Sequence, residues 1–328
     1  MFQIIDKMVG ETPLAALERF RAGKILADSG DTKSLLGEYS WKDVPLTYAG
    51  RLDPMAEGKL LILIGEECKE KEKYLGLDKE YEVAIILGLE TDTYDALGIV
   101  SDVQNSQVSS AGRRGGSVQG ESKSIPKSWA VSCKIDGKAI SIGDELVDQK
   151  WLQNYVGKFD QPYPPYSSKT VNGKQLHELA RSHDLPSSEE MPTKEVEIYS
   201  IDLLSVGTVG ADRLLVEMSR KIDLVKGDFR QEEIKKRWRE SLTKSSSNIE
   251  VEGRRTKAGP VENHADEGSP ISSTQNTNQL NESELPLLII RVKCSSGTYM
   301  RSLAHRIGHD RGVGAFAMGI NRTKIGKF

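Results

Sequence analysis

The chain has 328 residues, 37% hydrophobic and 28% charged, enough apolar material for the core of one large domain or two ordinary ones. No apolar run approaches the roughly 18 residues that cross a bilayer, and residues 1–13 lack the basic region and apolar core of a secretory signal. Lys and Arg number 45 against 48 Asp and Glu, a net charge of −3, so contact with nucleic acid has to come from a local basic face.

In chain order, residues 2–8 (FQIIDKM) predict a short strand running into a turn. Thr12 stands where a helix is capped and Pro13 at its first position, with Leu14, Leu17 and Phe20 as the apolar stripe. A polar stretch over 28–47 leads to YAGRLDPMAEG at 48–58, and LLILIG at 60–65 predicts a buried strand. YEVAIILG at 81–88 predicts another, followed at once by the charged turn ETDTYDALG. Residues 101–124 hold little that fills a core and are expected to be a loose insertion.

QPYPPYSSKTVNGKQLHELAR at 161–181 combines a proline- and tyrosine-rich turn with a helix beginning near Lys174, and LLVEM at 214–218 reads as a strand. A helix over 226–244 would put Ile234, Trp238 and Leu242 on one side, surrounded by Lys235, Lys236, Arg237 and Arg239. Packing explains that helix best; an added RNA or partner contact is the alternative. Residues 245–284, rich in Ser, Asn, Glu and Thr, are expected to be a second loose segment. LLIIRVKCSSGTYMRSLAHRIG at 287–308 predicts a strand, a glycine turn and a helix with Leu303, Ala304 and Ile307 inward. The organisation is one main domain over 1–328 interrupted by two loose segments.

Among residues able to do chemistry, Asp53 stands out because Pro54 keeps it out of helical geometry, on a turn anchored by the strand that follows. Arg301 lies just past a strand–turn–helix junction, where a guanidinium could clamp an aspartate with two parallel hydrogen bonds. Tyr81 opens a strand and could offer a flat ring to an everted base. Lys169, near Tyr163 and Tyr166, is a further candidate for a wall facing base and phosphate. Singly, each has an ordinary structural explanation: a turn, a surface charge, a packed ring.

No metal site is expected. His177, His183, His305 and His309 have no Glu or Cys completing a ligand set, and HRIGH lacks the central glutamate of a zinc-protease helix. Cys68, Cys133 and Cys294 show no paired spacing, which argues against a disulfide framework and fits a reducing cytoplasm.

Together, IIDKMVGETP at 4–13, AGRLDPMAEGKLLILIGEECK at 49–69, KEYEVAIILGLETDTYDALG at 79–98, PPYSSKTVNGKQLHELAR at 164–181 and VKCSSGTYMRSLAHRIG at 292–308 resemble, in order, the motifs of the TruB family of tRNA pseudouridine synthases. VGAFAMGINRTKIGKF at 313–328 resembles the end of that family's catalytic domain. The resemblance implies an α+β fold, a mixed, mainly antiparallel sheet flanked by helices and loops, with the cleft across the sheet. It implies isomerisation of a tRNA uridine, usually T-loop uridine 55, by base flipping, without cofactor or metal.

By the same resemblance Asp53 is the catalytic aspartate, Arg301 its ion-pair partner and Tyr81 the ring against the target base. Lys169 falls on a basic position of the active-site region, Ile320 on an aliphatic position of the pocket, and Lys7 on the first-motif lysine. Tyr48 stands where the family commonly has histidine and keeps an aromatic face without imidazole's two nitrogens. Ala49 replaces a frequent small hydroxyl residue, and Arg51 adds charge beside Asp53. The RNA-binding PUA domain of many relatives is not expected within 1–328. The partner expected is tRNA, bound by a cytoplasmic monomer with no membrane and no obligate protein partner. Two alternatives are an RNA-binding or RNA-folding module with weak or lost catalysis, and a glycosidase pairing Asp53 with Asp92 or Asp95.

Overall fold

The computed structural model describes residues 1–27, 40–101, 134–137, 140–142, 145–252 and 284–328. Residues 102–124 and 253–283, most of the two segments expected to be loose, lie outside that description, as does Cys133. The frame is a nine-stranded sheet of β1 (Phe2–Lys7), β2 (Leu46–Ala49), β3 (Ala56–Ile64), β4 (Lys79–Leu87), β5 (Lys134–Gly137), β6 (Gly157–Pro162), β7 (Thr193–Gly210), β8 (Glu284–Cys294) and β9 (Ala315–Ile325). Strand order is β1-β3-β9-β4-β8-β7-β6, with β2 added to β3 and β5 to β7. Pairing is antiparallel except between β9 and β3, where Ile320, Asn321 and Arg322 run parallel to Ala56, Glu57 and Gly58. The mainly antiparallel sheet expected from the resemblance is therefore present.

β4 lies between β9 and β8, and all nine of its residues are buried. A strand covered on both faces is apolar wherever no partner ion is at hand, which explains the run VAIIL, while buried Glu82 is paired with Arg291. Tyr81, Val83, Ile85 and Leu87 point into one core with Leu303, Ala304 and Ile307; Ala84 and Ile86 point into a second with Leu214, Met218 and Trp238. The helix Met300–His309 thus covers one face, and the helices Ala211–Leu224 and Gln231–Glu252 the other. Leu303, Ala304 and Ile307 face inward as expected, as do Ile234, Trp238 and Leu242.

Thr12 caps the helix Pro13–Ala27, its Oγ1 accepting from Ala15 N at 3.1 Å. Leu17 and Phe20 are buried but Leu14 is exposed, so the stripe is narrower than expected. LLVEM is not a strand. It lies in the helix Ala211–Leu224, where Leu214, Met218 and Ile222 recur every four residues on the buried side while Val216 is 69% exposed. Gln231–Glu252 extends helix beyond Lys244, so residues 245–252 are helical and not part of a loose segment.

Candidate active site

The segment carrying Asp53 joins β2 to β3 and turns at Asp53, whose carbonyl accepts from Ala56 N at 3.0 Å. Two buried cations hold this loop by its carbonyls. From β1, Lys7 Nζ donates to Ala56 O at 2.5 Å and to Met8 O at 3.0 Å, and lies 3.5 Å from Pro54 O. From β9, Arg322 donates to Lys59 O at 2.7 Å and to Arg51 O and Gly50 O, both at 3.2 Å. Gly10 N also donates to Pro54 O at 2.8 Å. Glycine is required at Gly58, where φ is +101° and a Cβ would run into the Arg322 backbone of the parallel neighbour. Loop carbonyls that would otherwise face water are each given a donor, which fixes the direction of the Asp53 side chain.

Arg301, on the first turn of its helix, donates from Nε to Asp53 Oδ2 at 2.8 Å. The expected two-pronged clamp is not formed. Nη1 donates instead to Thr93 O at 2.9 Å and Nη2 to Tyr166 O at 3.2 Å, so the guanidinium spans three segments and meets Asp53 through one hydrogen bond. Its side chain is 4% exposed against 36% for Asp53: the cation is buried and the carboxylate reaches solvent. Burial works against the Arg301 charge, but the carboxylates of Asp53 and Asp95 outweigh it and raise its pKa.

Asp95 Oδ2 lies 3.7 Å from the same Nε. Its Oδ1 accepts from Thr93 Oγ1 at 2.8 Å and Leu97 N at 2.9 Å, and burial pushes its carboxyl pKa up. Asp92 is turned away, ion-paired to Arg230 at 3.0 Å. With Asp95 buried and Asp92 engaged, neither shares the open space before Asp53 that a glycosidase pair requires.

Tyr81 is buried on β4 in the cluster that holds Leu52, Ala56 and Ile320, so Tyr81 and Ile320 come together behind the Asp53 loop. Burial raises the Tyr81 pKa, and the Arg322 guanidinium, which bonds to its hydroxyl, opposes the rise. Lys169 is exposed, its Nζ 5.4 Å from the Tyr163 ring centre, and Tyr163 packs edge-on against Tyr299 at 5.4 Å. Burial and then the charge of Asp53 push the Tyr299 hydroxyl up to about 12. Tyr48 is not brought to Asp53 by any described contact: it packs beside Leu60 and Ile62, with Lys71 Nζ 5.5 Å from its ring.

Sequence reasoning did not single out Arg322, Thr93 or Tyr299, and weighed Asp95 only as a glycosidase partner. The available signals were an arginine inside the apolar strand AFAMGINRTKI, and a tyrosine two residues before Arg301.

A solvent-reached carboxylate aimed by a buried guanidinium, between tyrosine walls on a mainly antiparallel sheet, defines a carboxylate-centred site of the α+β class. Residues 45–142 and 138–227 match the family described as TruB family pseudouridylate synthase (N terminal domain), and the chain belongs to that family. It is 26% identical over 286 residues, 86% of this chain and 56% of the relative, to tRNA pseudouridine synthase B of Bifidobacterium longum subsp. infantis. It is 27% identical over 202 residues, 62% of this chain and 51% of the relative, to the protein of that description from Aquifex aeolicus. The chain therefore spans about half the length of these curated relatives. A chain of the crystal structure of a Cbf5-Nop10-Gar1 complex aligns with 100% of this chain and 49% of its own at 13% identity, with a TM-score of 0.40.

Proposed function

We propose that this protein isomerises a uridine of tRNA, the T-loop uridine 55, to pseudouridine, with Asp53 as the catalytic residue. The observation that carries the reading is the 2.8 Å contact from a buried Arg301 to a carboxylate that remains open to solvent. The N1–C1′ bond breaks, the uracil turns, a C5–C1′ bond forms and the C5 proton is lost while N1 gains one, so atoms balance without a cofactor.

The uridine has to leave its stack, at a cost of about a few kcal/mol that a ring face and an apolar wall offset. Tyr81 supplies the ring and Ile320 the wall. Ionised Asp53 acts on the sugar while Arg301 keeps it charged and fixed in direction. With its pKa raised, Tyr81 keeps its proton at neutral pH, so its part is stacking and hydrogen bonding and not that of a phenolate base. Lys169 and Lys7 act on phosphate and on the catalytic loop respectively. The reading has the protein working in the cytoplasm as a monomer.

Asp53→Asn should abolish release of tritium from C5-labelled uridine in tRNA while tRNA binding stays within about threefold, because the substituted amide is isosteric and uncharged. Turnover at the wild-type rate in the purified variant would remove Asp53 from the chemistry. Tight tRNA binding by the wild-type protein with no product in a single-turnover assay would favour an RNA-binding module instead.

A further inference from the structure

Nearly every arginine close to the cleft is committed. Arg301, Arg230 and Arg291 are paired with carboxylates, and Arg322 is buried and held by three backbone carbonyls. Arg51 is the exception. It is exposed, and among the described residues no carboxylate lies within ion-pair distance of it. Its one hydrogen bond from a side-chain nitrogen goes to a neutral acceptor, Nη1 to Ser168 Oγ at 2.7 Å. A guanidinium carries five N–H donors, so most of the fork is left for a ligand.

Its position is set more tightly than that of an ordinary surface arginine. The Arg51 carbonyl is gripped by buried Arg322, so the backbone beneath it is fixed. Two residues separate its Cα from that of Asp53 by no more than about 7 Å. The segment it touches also holds Arg301 through Tyr166 O, so Arg51, two positions before Asp53, and Arg301, bonded to Asp53, lean on the same three residues, 166–168. The charge of Arg51 is felt at the Tyr299 hydroxyl, which also feels Asp53.

Whatever ribose is presented to Asp53 carries a phosphodiester on each side, within a few ångströms of its sugar ring. We propose that Arg51 is a substrate-binding residue that holds the phosphodiester flanking the everted nucleotide. The inference rests on the uridine-isomerase reading for the identity of that nucleotide. A planar fork matches two phosphate oxygens, which a lysine ammonium does not. In a chain whose net charge is −3, an unpaired cation at the rim also supplies the local attraction that the molecule as a whole lacks. A strut between the Asp53 loop and Ser168 is the competing role, and it makes a different prediction.

The test uses the full chain with Asp53→Asn, titrated with a fluorescent RNA hairpin whose loop contains uridine, over a series of salt concentrations. Adding Arg51→Gln, which can still donate to Ser168 but has no charge, should weaken binding about tenfold near 0.1 M salt. The slope of log Kd against log salt should fall by roughly 0.7–0.9, the signature of one phosphate contact. Arg51→Lys should keep that slope and lose part of the affinity, and Ser168→Ala should keep the slope. An unchanged slope with Arg51→Gln, or the same loss with Ser168→Ala, overturns the proposal in favour of a strut. In the Asp53 background with turnover restored, the loss should fall on KM and not on kcat. Absence of C5 tritium release by the wild-type protein would sink the isomerase reading, while the salt slope would still decide the role of Arg51.

Discussion

Two cations with very different tasks meet at Asp53. Arg301 touches the carboxylate directly, and its geometry makes it intolerant of lysine: one ammonium cannot reach Asp53, Thr93 O and Tyr166 O at once. Arg301→Lys should lower kcat at least 100-fold, read by single-turnover tritium release, with RNA binding much less affected. Lys7 is fully buried beneath the loop, and burial lowers its pKa to about 8. A lysine with a depressed folded pKa binds fewer protons than the unfolded chain between about 8 and its ordinary 10.5, so its contribution to stability rises with pH across that window. Wild type should gain about 2–3 kcal/mol relative to Lys7→Met between pH 7.5 and 10.5, measured by urea denaturation at each pH. A flat difference would mean that Lys7 titrates normally. The candidate residues themselves were legible by resemblance, but the single Nε contact was not: the carbonyls that draw the other nitrogens, at 93 and 166, are more than 100 residues from Arg301 in sequence, at separations of 208 and 135.

At the scale of elements, the turn over 91–95 helps to fix the Asp53–Arg301 pair. Tyr94 adopts φ 62°, its ring stacks on His305 at 3.9 Å, and His305 Nε2 lies 2.6 Å from Glu90 Oε1. His305 stands one helical turn after Arg301, so this contact locks onto one helix the turn that supplies Thr93 O and Asp95. The hydrogen bond with His305 holds the Glu90 carboxyl below its ordinary range. A depressed carboxyl stabilises the fold above its unfolded pKa, and that stabilisation is lost as pH falls through its folded value. Glu90→Gln should therefore cost about 0.5–1 kcal/mol at pH 7, a modest figure because the pair is partly exposed. The gap to wild type, read by thermal melts across pH, should narrow as pH falls below the ordinary carboxylate range, and a constant gap would show that the Glu90 charge contributes nothing. Long apolar strands and the last helix were readable because their periods run over many residues. LLVEM was misread because five residues do not separate a period of two from 3.6 when one apolar residue, Val216, sits on the exposed side.

Among the described residues the sheet carries four hydrophobic clusters, and of the two largest only one holds Tyr81. The second is closed by Trp238, fully buried, with Nε1 donating to Gly98 O at 3.2 Å and the ring 5.2 Å from Phe316. Trp238→Ala should cost about 3–5 kcal/mol by leaving a cavity and an unpaired carbonyl. Single-turnover rates well below the new melting temperature should nevertheless survive, because Tyr81, Ile320 and the helix of Arg301 pack in the other cluster, although Met55 and Leu97 share that of Trp238. Loss of rate in proportion to loss of stability would show that the two cores are not separable. The β9–β3 parallel pair could not be foreseen from pattern: the two strands stand more than 250 positions apart, and nothing local records which way they meet.

That late strand has a consequence for how the protein comes into being. Arg51 is translated 271 residues before Arg322, which grips two carbonyls of the loop bearing Asp53 and a third on β3. A nascent chain that has not yet reached β9 lacks this grip, so the frame around the Asp53 carboxylate closes only once that distant strand has been made and has docked beside β3.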